Sequence, residues 1–376
     1  MVQTVFVYFT LILLMLLFNY SSIYLHERVI CIGKANSNIP LFSLFLFALV
    51  FGVRYNVGID HLSYLNMYET SRLLHKEADT EFGFKFIIDS FVNLGFHYSV
   101  FFFFLAFLQV FLVFYALKEC YKLHHYIIVT FFLLTTFLNF MNGIRQELAF
   151  CFWLLAVTFI AKKKIVLYFM CILAAISFHI SAIITLPFYF FYLIRNSFFN
   201  NVKYQLIMLF TSLAIMVLIN PTLIIFASLA EIAKMLGYTG YVGMALEGDM
   251  SFVEPERERG IGFWVILFLN FILILLSPKV KAFFKSHFFD IMYDFYFVGV
   301  LYLYLASGSL ALQRVNYYFY NFNFIIGAFT LYYLVKKRSL LNSLLYTLLI
   351  LLYVLIFYAI VVFRGIDSCA IYHTFW

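Results

Sequence analysis

Residues 162–195, KKKIVLYFMCILAAISFHISAIITLPFYFFYLIR, decide how the chain is organised. From 165 to 194 no side chain is Asp, Glu, Lys or Arg, and three lysines and an arginine bound the run. A spanning helix needs about 20 consecutive apolar residues, so this stretch has lipid rather than water as its solvent. A single crossing, however, would put Lys162–Lys164 and Arg195 on opposite faces of the membrane, against the rule that short basic loops stay cytoplasmic. Two short helices, 165–178 and 180–194, each about 21 Å long at 1.5 Å per residue, remove the conflict by forming a re-entrant hairpin with both ends on one side. His179, in SFHISA, then sits at or near its tip. Broken backbone at that depth is tolerated only where protein or a water-filled cavity covers it.

Composition points the same way. Of 376 residues, 65% are hydrophobic and only 11% charged, and the mean hydropathy is +0.98. Soluble domains carry about 25% charged residues, so a soluble globular protein, a coiled coil and a disordered chain are all excluded. Apolar runs at about 4–24, 39–53, 96–117, 126–143, 144–161, 165–194, 204–228, 261–277, 290–311, 315–335 and 339–363 predict an all-α, polytopic integral membrane protein of about 10–12 transmembrane helices. No linker, repeat or low-complexity tract divides 1–376, which reads as a single polytopic domain. The first run has neither a basic n-region nor an A-x-A-like cleavage site and is expected to be the first span.

The net charge of +7 reflects topology, not a nucleic-acid partner. Short loops at 26–38, 118–125, 162–164, 195–203, 279–285 and 336–338 hold 15 of the 25 basic residues and two acids, Glu27 and Glu119. They are the expected cytoplasmic loops. Two long polar segments differ: 54–85 carries five acidic and four basic residues, and 226–260 carries six and three. Both are expected outside, with 226–260, which contains Gly237, Gly240, Gly243 and Gly248, as a candidate lid. The five cysteines form no CxxC pair, so neither a disulfide framework nor a metal site is read from them.

Three arginines then fall at the outer end: Arg54 in FGVRYNVGID, Arg145 in FMNGIRQELAF and Arg314 in ALQRVNYYFY. An arginine at the bilayer centre costs roughly 2.5–3.5 kcal/mol, and less near the interface. Each alone could be an interfacial anchor. A cluster at a face where positive charge is depleted suits a phosphate or pyrophosphate, which planar guanidinium groups hold with two hydrogen bonds. Asp60, Tyr64 and Tyr68 recur every four residues and share a helix face. Asp60 is either the ion-pair partner of Arg54 or a carboxylate for sugar hydroxyls and protons, with Tyr64 offering an aromatic surface to a sugar ring. His179 is either a structural histidine or a general base. Asp290 and Asp294, one turn apart at an expected helix start, suit the helix dipole.

RYNVGIDHLSYLNMYE, EFGFKFI, NGIRQELAF, the KKK loop, AAISFHISAIITLP and a late QRVNYYF occur in this order from the second span to about residue 320. The ordered set resembles the Wzy/EpsG-type bacterial polysaccharide polymerase family. His61 after the aspartate and Phe82 after the glutamate of EFGF depart from its usual pattern. The resemblance implies a GT-C-like membrane glycosyltransferase of the bacterial inner membrane, acting at its outer face on undecaprenyl-pyrophosphate-linked oligosaccharide, with a chain-length regulator as a candidate partner. It implies that Arg54, Arg145 and Arg314 hold the pyrophosphate, with Gln146, Tyr64 and Tyr317 as further substrate contacts and Asp60 and His179 as catalytic candidates. No cofactor is expected, and no outward carboxylate pair has metal-ligand spacing. A flippase or transporter would use similar residues but usually shows internal repeats, which are absent here; an O-antigen ligase would differ in its acceptor.

Overall fold

The computed structural model describes residues 2–30, 38–75, 78–194, 197–218, 260–306, 310–363, 372 and 374. Most of the 226–260 segment, with its expected lid, lies outside the described residues, as do Arg195, Gly308 and most of the 26–38 loop. The fold is all-α, as expected, and the chain is a multi-pass membrane protein. Six helices are long and apolar enough to cross a bilayer: Thr4–Glu27, Tyr98–Ala116, Ile144–Ala161, Ile261–Phe284, His287–Leu305 and Leu340–Val361. A seventh span is counted if the pair Lys118–Leu133 and Thr136–Asn142, bent by 69°, is taken as one. The expected 10–12 counted apolar runs, and the structure breaks several of them. Leu41–Gly52 has only 12 residues, and the run at 315–335 divides into Leu310–Tyr320 and Asn323–Lys336.

The chain divides into two compact units, Met1–Ile194 with Gly327–Trp376, and Arg195–Ile326. The first contains α1 (Val2–Ile30), α2 (Leu41–Gly52), α3 (His61–Leu74), α4 (Phe82–Asn93), α5 (Tyr98–Ala116), α6 (His124–Leu133), α7 (Thr136–Asn142), α8 (Ile144–Ala161), α9 (Ile165–Phe178) and α10 (Phe188–Ile194). α2 packs on α5, α5 on α8 and α8 on α9, while the short α3 and α4 lie at one end against α5 and α9. α2 approaches α5 closely because position 52 is glycine: a Cβ there would lie 2.7 Å from Phe103 Cβ. At one end of this unit, Asn38 N–H donates to Lys118 O and Lys162 pairs with Glu119, so three of the expected cytoplasmic loops meet. Arg54, Thr80, Glu81 and Met141 gather at the other, where the Tyr372 N–H also donates to Thr4 Oγ1.

The expected hairpin is present. Tyr168 and Tyr189 have ring centroids 5.2 Å apart, and Phe169 and Phe190 6.0 Å; a straight helix would separate either pair by about 30 Å at 1.5 Å per residue. The returning limb is not one α-helix. It begins as a 3₁₀ turn over Ile180–Thr185 and becomes helical only at Phe188. Pro187 contributes, since it has no N–H with which to continue an α-helical ladder through this point. The interruption leaves Thr185 O available to the Tyr168 hydroxyl, which donates to it at 2.5 Å.

The second unit contains α11 (Val202–Leu218), α12 (Ile261–Phe284), α13 (His287–Leu305) and α14 (Leu310–Tyr320); α15 (Asn323–Lys336) leads out of it, and α16 (Leu340–Phe357) packs on α6 of the first unit. Asn270, fully buried at mid-helix, is satisfied by the Tyr296 hydroxyl at 2.9 Å and by Tyr320 at 3.3 Å. At one end Asp294 accepts from Phe198 N–H, Phe199 N–H and the Ser197 hydroxyl, and pairs with Lys281 at 3.6 Å. The helix-dipole reading of Asp294 is therefore corrected. α13 starts at His287, so Asp290 lies in the first turn while Asp294 is buried beyond it, joining two expected cytoplasmic loops.

Candidate active site

The backbone at the end of the first unit that carries Arg54 and Glu81 is broken, and that break builds the site. Thr135 adopts a left-handed conformation, φ 59°, between α6 and α7, and α7 ends after seven residues at Gly143, where α8 begins. A helix end buried in an apolar bundle must find partners for its free carbonyls. Gln109 of α5 supplies one for Phe140 O at 3.2 Å, and also donates to Ile144 O in the first turn of α8 at 3.2 Å, tying the two helices across the break. Arg54 supplies a second, donating from Nη2 to Met141 O at 2.7 Å. Its guanidinium lies between the Phe51 and Phe102 rings, 5.6 and 5.8 Å from their centroids, and the residue is 2% exposed. A cation at the negative end of α7 is also favoured by the helix dipole. Of the two readings of Asp60, the ion pair with Arg54 is not formed: Arg54 turns inward to a carbonyl, and Asp60 makes no ion pair among the described residues.

Arg145, in the first turn of α8, turns the other way. Its Nη1 donates to Glu81 Oε2 at 2.6 Å and to Thr80 Oγ1 at 2.8 Å, and the side chain keeps 30% of its surface. The Thr80 hydroxyl donates to the same Oε2 at 3.0 Å. Tyr64 of α3 brings its hydroxyl beside the guanidinium; burial raises its pKa first, with Asp60 adding to the rise and Arg145 opposing it. No side chain caps the start of α8, so its first-turn N–H groups add partial positive charge beside Arg145.

The hairpin tip completes the group. His179 ends α9 in extended backbone, φ −155° and ψ 118°, and its Nδ1 accepts from Ser181 N–H at 3.3 Å, with the Ser181 hydroxyl 2.7 Å away. Glu81 comes to this end of the hairpin because position 83 is glycine: a Cβ there would lie 2.5 Å from Ser177 Oγ and 2.9 Å from Ser177 O, so α4 starts directly against the end of α9. Burial alone would raise the Glu81 carboxyl. Arg145, with the local backbone N–H and Thr80, outweighs it and holds the group below the usual carboxylate range. The stabilisation this gives is complete at neutral pH and is lost as pH falls through the depressed value.

The structure therefore brings Arg145, Tyr64 and His179 together, with Asp60 one turn before Tyr64. Arg54 is buried behind them, Gln146 is buried on α8, and Tyr68 donates to Phe96 O at 2.8 Å. Arg314 is exposed and Tyr317 half-buried on α14 of the other unit. Sequence reasoning gave no role to Thr80 and Glu81; the available signal was the excess of acids over bases in 54–85. His61 is fully buried against Phe102, ring centroids 4.8 Å apart, and burial followed by the charge of Arg54 lowers its pKa to about 3. Among the described residues no group of three or more His, Cys, Asp or Glu side chains is placed to hold a metal.

The family model described as the EpsG family matches residues 38–374, beyond both ends of the motif series that ends near 320. No curated protein and no solved structure matches the chain.

Proposed function

The chain belongs to the EpsG family, and from that premise we propose that it is a glycosyltransferase of the bacterial inner membrane that joins undecaprenyl-pyrophosphate-linked oligosaccharide repeat units at the outer face. The observation that carries the reading is Arg145: a partly exposed guanidinium at the start of a membrane helix, with a carboxylate, two hydroxyls and an imidazole around it. Transfer needs the charge developing on a departing pyrophosphate to be met by fixed donors in a poorly solvated site. In this reading Arg145 and the α8 N-terminus meet it, and arginine rather than a divalent cation supplies the positive charge. His179 adds a donor. A neutral imidazole whose Nδ1 accepts from Ser181 N–H carries its hydrogen on Nε2, which suits an oxygen of phosphate or sugar. Asp60 and Tyr64 face the glycan, Arg314, Tyr317 and Gln146 keep the substrate-binding role the motif resemblance gives them, and Arg54 and Gln109 support the backbone beneath.

Purified protein supplied with lipid-linked repeat units tests this. The expected product is a ladder of polymer on a gel, formed with release of lipid pyrophosphate. Binding and transbilayer movement of the donor without any ladder would remove the polymerase reading in favour of a transporter.

A further inference from the structure

We propose that Glu81 is the base that takes the proton from the acceptor hydroxyl, and that it serves as the counter-ion of Arg145 until the donor's pyrophosphate takes over that guanidinium. The inference rests on the polymerase reading and adds to it the catalytic group that the sequence left open.

Both side-chain bonds to Glu81, from Arg145 and Thr80, fall on Oε2, which leaves Oε1 outside them. The side chain is 19% exposed, so a hydroxyl brought by substrate can reach it. The charged and titratable groups facing it are Arg145 from α8 and His179 from the hairpin tip, with Tyr64 of α3 beside Arg145. With Nδ1 of His179 occupied by Ser181, the carboxylate is the better proton acceptor of the group.

Substrate supplies the switch. While Arg145 is bound to Glu81 it depresses the proton affinity of the carboxyl more than burial raises it. A pyrophosphate on Arg145 brings its own negative charge and neutralises that influence, whereas the burial remains. The carboxylate becomes more basic at the moment the donor arrives. The acceptor oxygen then bonds to the anomeric carbon, the bond from that carbon to the pyrophosphate oxygen breaks, and its electron pair leaves with the lipid pyrophosphate on Arg145. The hydroxyl proton passes to Glu81 and from there to water.

Glu81→Gln tests this, because the amide oxygen can still accept from Arg145 while the base is lost. In purified full-length protein the expected result is turnover reduced by about 100-fold or more, the usual worth of a general base, with donor binding unchanged or tighter since no anion competes for Arg145. Turnover within a few-fold of wild type would overturn the proposal. So would a parallel loss of binding and turnover, which marks a purely structural ion pair. If Glu81→Gln does not accumulate, Glu81→Asp is read the same way. A carboxylate set back by one methylene should lose about tenfold or more in turnover at unchanged binding, and full turnover would overturn the assignment. Wild-type protein that makes no polymer removes the underlying reading; wild-type polymerisation with unimpaired Glu81 variants removes only this inference.

Discussion

Arg54 and Arg145 stand at the same end of one bundle and resemble each other in sequence, each beside glycine and asparagine at the end of an apolar run, yet they do opposite work. Arg54 is buried, stacked between two phenylalanines and bonded to a helix-terminal carbonyl. Arg145 is partly open and bonded to a carboxylate and a hydroxyl. What separates them is the partner each finds. A backbone carbonyl freed by a broken helix cannot leave, so an arginine bound to it is fixed. A carboxylate on a neighbouring short helix can be exchanged for another anion, so an arginine bound to it can receive a ligand.

The largest effect that would sharpen this contrast is on activity. Arg145→Lys keeps the charge but loses the planar fork, and a charge-assisted hydrogen bond is worth about 1.5–3 kcal/mol, so polymer yield should fall roughly 10- to 150-fold at unchanged protein level. Gel ladders from equal amounts of membrane protein measure it. Arg54→Ala should show the reverse pattern. Leaving the Met141 carbonyl unsatisfied costs about 1–3 kcal/mol, to be read as a lower melting temperature in detergent and less protein in the membrane. An Arg54→Ala protein of normal stability would break the comparison.

Two smaller effects address the packing that holds the sites apart. Gly83→Ala places a Cβ against the backbone of Ser177, and overpacking of this kind costs about 1–3 kcal/mol. α4 should shift from α9, moving Glu81 out of place relative to Arg145 and the hairpin tip and lowering activity more than stability. His61→Phe should be nearly neutral at pH 7, within about 1.5 kcal/mol, because the imidazole is a buried ring without a polar partner among the described residues. Its depressed pKa makes wild type lose stability as pH falls from the unfolded value near 6.5 towards 3. The phenylalanine variant should lack that loss, as melting curves at pH 7 and pH 5 would show.

How much of this was legible before the structure follows from what sequence encodes directly. The hairpin was readable because lysines at 162–164 and arginine at 195 cannot lie on opposite faces, a constraint that needs no knowledge of packing. The bend at Thr135 was not, because apolar residues continue on both sides of it and the left-handed backbone leaves no compositional mark. Asp60 lies six residues from Arg54 and looked like its partner; the true partner, Met141 O, is 87 residues away and is a backbone atom. Glu81 was visible inside EFGFKFI, but only the close contact at Gly83 turns it from one acid among five into the neighbour of Arg145 and His179. Asp294 reads as a helix-start acid only if α13 starts near residue 290, where the apolar run begins, and the helix starts three residues earlier at His287.

The central claim is that Arg145 holds a ligand while Arg54 holds the backbone, and one measurement tests it most directly: binding of undecaprenyl pyrophosphate, without sugar, to detergent-purified wild-type, Arg145→Lys and Arg54→Lys proteins, with melting curves on the same samples. The account predicts that Arg145→Lys binds roughly tenfold or more weakly at an unchanged melting temperature, while Arg54→Lys melts earlier and its folded fraction binds normally. Equal loss of binding in both variants, or normal binding by Arg145→Lys, would contradict it.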